Sequence, residues 1–161
     1  MMKNQLIELL RQNARLSNEQ LAVMLGRTEA EVAAEIKALE EQGVIMGYSA
    51  IVNEEKIDQE QVTAIIELRV TPQKDCGFEE IARIITQYEE VESLSLMAGA
   101  YDLAVTVKGK NVKDIAMFVS QRLAPLSGVL STATYFILKT YKEKGIFIET
   151  EEKDERGFFC P

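Results

Sequence analysis

The chain has 161 residues, 47% hydrophobic and 27% charged, with a formal charge of −8 and no histidine. The missing histidine excludes Ser-His-Asp and Cys-His nucleophile systems, the usual imidazole base and His-containing zinc sites. The two cysteines, Cys76 and Cys160, lack metal-ligand spacing and read as inert thiols, and no stretch approaches the ~20 apolar residues of a membrane span. The N-terminus reaches Lys3 and Asn4 at once, without the apolar core of a signal peptide. The expectation is a cytoplasmic protein with no catalytic residue, no metal and no cofactor.

Leu6, Ile7, Leu9 and Leu10 mark a first helix between Lys3 and Asn13. Ser17 with Gln20, three residues on, forms a capping box for a second helix that Gly26 stops. Thr28 with Glu31 forms another, and Val32, Ile36 and Leu39 give the third helix one apolar stripe that ends at Gly43. Two short capped helices around a glycine-containing turn are the signature of a helix-turn-helix. Residues Val44 to Asn53 turn to β-type composition, either a wing or a strand leading away. Residues Asn53 to Glu60 are polar and read as a linker.

The second half alternates. Val62 to Val70 reads as a strand, Phe78 to Tyr88 as a helix and Val91 to Met97 as a strand, with Val91, Ser93, Ser95 and Met97 on one face and Glu92, Leu94 and Leu96 on the other. Ala98 to Asp102 is a turn, Leu103 to Val107 a strand, Val112 to about Ala124 a helix, and Val129 to Thr140 a long last strand. The order strand-helix-strand-strand-helix-strand is that of an antiparallel sheet with helices on one face. Leu94, Leu96, Tyr135 and Ile137 on the uncovered face are too apolar for water and favour a dimer through the sheets. Ile146 to Ile148 read as a further short strand, Glu149 to Glu155 as a solvated charge run, and Phe158-Phe159-Cys160 as a segment that docks on a partner or stays disordered.

The fold class expected is α+β. A three-helix winged helix-turn-helix covers 1–53, a linker 54–61, a ferredoxin-like βαββαβ sandwich 62–148 and a charged tail 149–161.

Leu39-Glu40-Glu41-Gln42-Gly43-Val44-Ile45, then Gly47-Tyr48-Ser49-Ala50-Ile51-Val52-Asn53, Ser17 to Ala22 in the second helix, and Gly99-Ala100-Tyr101-Asp102 resemble the Lrp/AsnC, or feast/famine, regulators over about Lys3 to Thr140. The resemblance implies a transcription regulator that binds double-stranded DNA. It implies a homodimer through the C-terminal sheets, assembled into octamers or other rings, and an amino-acid effector held between dimers near the hairpin. It also places the third helix in the major groove.

One departure bears on the DNA. From Thr28 to Gln42, Lys37 is the sole base against Glu29, Glu31, Glu35, Glu40 and Glu41, although DNA affinity rests on phosphate neutralisation. The DNA-binding candidates are Arg11, Arg15, Arg27, Thr28 and Lys37; each arginine reads equally as an ordinary surface residue. The effector-binding candidates are Gly99, Ala100, Tyr101, Asp102, Thr132 and Thr134. Plain turn chemistry explains Gly99 and Asp102 as well, strand propensity the two threonines, and core or interface packing Tyr101. The other reading is a ligand-binding oligomer with a degenerate helix-turn-helix. An enzyme of the haem-pathway kind found among Lrp-like proteins lacks the histidines it would need.

Overall fold

The computed structural model describes residues 2–57, 61–72 and 77–148. Cys76, Cys160, the charge run from Glu149 and the Phe158-Phe159 pair lie outside them. The chain divides into two compact units, one through Ile51 and one from Val52 on.

The first unit holds α1 (Met2–Gln12), α2 (Asn18–Leu25) and α3 (Glu29–Glu41). Both capping boxes form. The Ser17 hydroxyl accepts from Gln20 N–H at 3.1 Å while the Gln20 side chain accepts from Ser17 N–H at 2.9 Å. Thr28 and Glu31 repeat the exchange at 3.3 and 2.9 Å, which satisfies helix N-H groups that have no partner inside the helix. Gly26 turns the chain with φ 63°, a conformation that costs glycine little. Leu6, Leu21, Ala22, Val32 and Leu39 form the core. Each large one contributes about 1.5–3 kcal/mol on burial.

Residues 44–53 contain no strand, so a strand expected there is corrected. Strand composition needs a partner to bond, and no described segment pairs with this one. It is tied to α3 instead, by Val44 N–H and Ile45 N–H to the Leu39 carbonyl at 2.9 and 3.1 Å and by Tyr48 Oη donating to Glu40 at 3.0 Å.

The second unit begins with a 3-10 turn at Glu54–Lys56. It continues through β1 (Val62–Val70), α4 (Glu79–Ile85), β2 (Val91–Leu96), β3 (Leu103–Gly109), α5 (Val112–Phe118) with a π-helical turn at Val119–Leu123, and β4 (Val129–Phe136). A small hairpin of β5 (Lys142–Glu143) and β6 (Ile146–Phe147) follows. Its turn is Lys144-Gly145, both at positive φ, as a tight hairpin with matching twist requires. The main sheet is antiparallel with order β2-β3-β1-β4. Ala64, Ile66, Leu68 and Val70 of β1 and Leu103, Val105 and Val107 of β3 meet Ile81, Ile85, Ile115, Phe118 and Leu123 in the core. The opposite face of the sheet is open.

Two expectations about strands are corrected. A register shift between Val91 and Ser93 sets both Val91 and Leu94 opposite core residues, Val107 and Val105. The extra residue of the bulge flips the phase of the strand. Leu94 therefore packs against the helix-covered core, and Leu96, opposite Leu103, is on the same side, not on the open face. β4 stops at Phe136, not Thr140; Ile137 N–H still reaches the Thr63 carbonyl at 2.9 Å, and β1, which starts at Val62, has no strand residue to set opposite Lys139 or Thr140.

Candidate functional site: a helix-turn-helix and a hairpin at the sheet end

In the first unit α2, the Gly26 turn and α3 make the helix-turn-helix, with Ala30, Ala34 and Lys37 exposed along α3. The basic candidates are mostly occupied. Arg11 pairs with Glu8 at 3.0 Å, Arg27 with Glu31 at 3.8 Å and Lys37 with Glu41 at 3.8 Å. All three pairs are well exposed, so each contributes little to stability and is readily exchanged for another anion. Among the described residues Arg15 has no acidic partner. Thr28 is committed to its cap: its hydroxyl donates to Glu31 Oε2 at 2.9 Å and accepts from Glu31 N–H. The Thr28 N–H, then its hydroxyl, hold the Glu31 carboxyl below the usual carboxylate range, with Arg27 assisting.

In the second unit the segment Ala98–Asp102 joins β2 to β3 and abuts the end of β1. Asp102 N–H donates to the Leu68 carbonyl at 3.0 Å, and Met97 N–H to the Asp102 carbonyl at 2.7 Å. The Asp102 carboxylate accepts from Val70 N–H at 2.8 Å, so one oxygen continues the ladder where β3 has no residue left to do so. Arg69 Nε donates to the Ala100 carbonyl at 2.9 Å. By contrast the N–H groups of Gly99, Ala100 and Tyr101 make no hydrogen bond among the described residues, and a Cβ built on Gly99 would meet open space.

Thr132 lies opposite Leu68 and Thr134 opposite Ile66. Both are half-buried on the helix side of the edge strand β4. Thr132 thus flanks the same end of β1 as Asp102, from the other side, and Thr134 is one pleat further off. Tyr101 is half-buried and close enough to Tyr135 to help raise that phenol, whose main cause is its hydrogen bond to Glu67. Two surface depressions lie elsewhere, one on α4 by Glu80 and Arg83 and one on the first unit by Glu8 and Met24.

Residues 63–147 match the family described as the Lrp/AsnC ligand binding domain, and residues 3–46 match winged helix-turn-helix DNA-binding. The chain belongs to the Lrp/AsnC family. Lrp/AsnC relatives match along nearly all of it. The uncharacterized HTH-type transcriptional regulator YugG of Bacillus subtilis is 43% identical over 160 residues, 99% of this chain and 96% of that protein. The leucine-responsive regulatory protein of Haemophilus influenzae is 29% identical over 139 residues, 86% of this chain and 83% of that one. A Neisseria meningitidis transcriptional regulator, solved as an L-Met complex, superimposes with a TM-score of 0.71 at 23% identity, covering 88% of this chain and 91% of that one. The protein is therefore a transcription regulator of Lrp/AsnC type, and among its described residues no helix is long and apolar enough to cross a membrane.

Sequence reasoning missed three basic side chains that tie the second unit together. Arg69 holds the hairpin through Ala100. Its signal was the lone base of β1, near the strand's end. Lys108 clamps the 3-10 turn to the sheet, at 3.2 Å from Glu54 and 2.9 Å from Glu92; Glu92 first and Glu54 next raise its pKa against partial desolvation. Arg122 lies 5.4 Å from the Tyr88 ring centre and 3.3 Å from Glu90. The last two carried no local sequence signal.

Proposed function

We propose that the protein is a cytoplasmic, amino-acid-responsive regulator whose helix-turn-helix grips double-stranded DNA weakly and whose assembly supplies the missing affinity. The functional division is a DNA-binding part through residue 53, a linker over 54–61, a sensing and assembly part over 62–148, and a charged tail. Arg11, Arg15, Arg27 and Lys37 serve as phosphate contacts, with Thr28 holding the start of α3. Three of the four bases must leave a glutamate to do so, which limits the gain from phosphate neutralisation. A dimer presents two such units, so the second contact is made at high effective concentration.

The effector reading rests on the hairpin. The unpaired amides of Gly99, Ala100 and Tyr101 suit a carboxylate, and backbone N–H clusters of this kind favour anions. Asp102 acts mainly by holding the hairpin on β1, with its second carboxylate oxygen left for an ammonium. Thr132 and Thr134 line the approach from β4. The hairpin lies open on one chain, so a second copy closes the site. The L-Met bound to the Neisseria regulator supports an amino acid as the class of effector.

The single observation that carries the proposal is the pairing of a fully capped helix-turn-helix with an anchored hairpin whose tip amides are free. Melting temperatures of the full chain with each of the twenty L-amino acids test the sensing half. At least one should raise the melting temperature, through binding to the native state. A scan unchanged by all of them overturns it. The acidic α3 favours one other reading, an effector-binding oligomer without DNA affinity, and DNA titration separates the two.

A further inference from the structure

The hairpin between β2 and β3 is held differently at its foot and near its tip. The foot is fixed through Asp102, whose N–H reaches the Leu68 carbonyl at 3.0 Å and whose carboxylate accepts from Val70 N–H at 2.8 Å. Nearer the tip, one bond among the described residues ties the hairpin to the sheet, from Arg69 Nε to the Ala100 carbonyl at 2.9 Å. β1 places that donor. Ala64, Ile66, Leu68 and Val70 lie in the core, so alternation sends Arg69 to the open face. β3 pairs with β1 only as far as Leu68, which leaves the hairpin, not a strand, beside Arg69. Among the described residues Arg69 forms no ion pair, so no carboxylate draws its guanidinium away.

Holding one side of a peptide unit fixes its other side. The 100–101 peptide is trans, and in a planar trans unit the C=O and N–H point in opposite directions. With the Ala100 carbonyl turned toward Arg69, the Tyr101 N–H faces away from Arg69, and it has no acceptor among the described residues. Tyr101 does not lie at positive φ. A full inversion of the peptide would push it there, which a bulky residue resists. Without Arg69 the unit swings rather than inverts, and the Tyr101 N–H loses its fixed direction. We propose that Arg69 is a positioning residue of the effector site: through Ala100 it aims the Tyr101 N–H at the carboxylate of a bound amino acid. This rests on the reading that the hairpin amides receive that carboxylate. Arg69 acts through the direction of one N–H, without touching the effector, and a donor already in place binds an anion without the cost of being ordered. The bond to Ala100 is exposed, so its net contribution is that of an ordinary hydrogen bond, and its loss should weaken effector binding about three- to tenfold.

Substitutions of Arg69 separate the donor from the charge. Gln carries its Nε2 as many bonds from Cα as the arginine Nε and has no charge; Lys keeps the charge but sets its ammonium one bond further out; Met has neither donor nor charge. The full chain and its Arg69→Gln, Arg69→Lys and Arg69→Met variants are titrated by calorimetry with each of the twenty L-amino acids and, for any that binds, with its carboxamide, which lacks the carboxylate. The ratio of acid to carboxamide affinity within one variant cancels any general change in folding or assembly. The parent should prefer the acid, Arg69→Gln should keep that preference to within about twofold, and Arg69→Met and Arg69→Lys should lose at least about threefold of it. In crystals without effector, the Ala100 carbonyl of Arg69→Met should leave the direction it has in the parent. Arg69→Met keeping the parent's preference, or its Ala100 carbonyl keeping the parent's direction, overturns the proposal. Arg69→Gln losing the preference as Arg69→Met does overturns it too, by showing that the donor at Nε is not the cause. If no amino acid binds the parent, or if acid and carboxamide bind it alike, the effector reading fails and the proposal falls with it.

Discussion

Asp102 offers the sharpest separation of a structural role from a ligand role. Its carboxylate accepts the Val70 N–H at 2.8 Å, and Val70 is only 5% exposed. Asp102→Ala leaves that N–H at the margin of the core with no acceptor. An unsatisfied buried donor costs about 1–3 kcal/mol. Asp102→Asn keeps a carbonyl oxygen that can accept the same bond, so it should cost less than ~1.5 kcal/mol, the usual net value of a neutral hydrogen bond. The assay is urea unfolding of both variants at one fixed protein concentration, since assembly contributes to the apparent stability. Amide hydrogen exchange adds the local readout, with Val70 N–H exchanging faster in Asp102→Ala and near the parent rate in Asp102→Asn. Asp102→Ala within 0.5 kcal/mol of the parent, a difference ordinary for surface substitutions, with Val70 still protected, would refute the reasoning.

Other predictions follow from single contacts. A Cβ on Gly109 would come within 2.8 Å of Ile115 Cγ1, and Ile115 is buried; Gly109→Ala should destabilise by about 1–3 kcal/mol, read by denaturant midpoint. Glu31 has a depressed pKa in the folded chain, so the stability it contributes is present above its unfolded pKa and lost as pH falls through the folded one. The stability gap between the parent and Glu31→Gln should therefore be full at neutral pH and shrink below the usual carboxylate range, followed by thermal melts across pH. Lys108→Met removes both ties to Glu54 and Glu92 and should speed amide exchange over residues 54–57, without a large change in global stability because the ties are partly exposed.

What the sequence made legible was local. The Ser17–Gln20 and Thr28–Glu31 boxes, the stop at Gly26 and the six-element order of the sheet unit are each encoded within a few residues of where they act. The features that sequence did not reveal depend on partners far along the chain. Residues 44–53 have strand composition but join no sheet among the described residues. The bulge beside Glu92 is a matter of register with β3, and it moved Leu94 from the open face to the core. Composition also placed Asp102 at a turn without revealing that β1 would claim its carboxylate across 32 residues. The excess of glutamates on α3 was visible at once, but the three exposed ion pairs that occupy Arg11, Arg27 and Lys37 needed coordinates.

In the proposed function a weak, salt-limited DNA grip is coupled to an amino acid held at the Gly99–Asp102 hairpin. Fluorescence anisotropy of the full chain on labelled DNA from upstream of its own gene tests this most directly, titrated at low and physiological salt with and without the amino acid that raises the melting temperature. Saturable binding at micromolar protein in low salt is expected, weakening as salt rises, with a shift in affinity of at least threefold when the amino acid is added. Absence of binding at low salt in both conditions, or binding that the amino acid leaves unchanged, would contradict it.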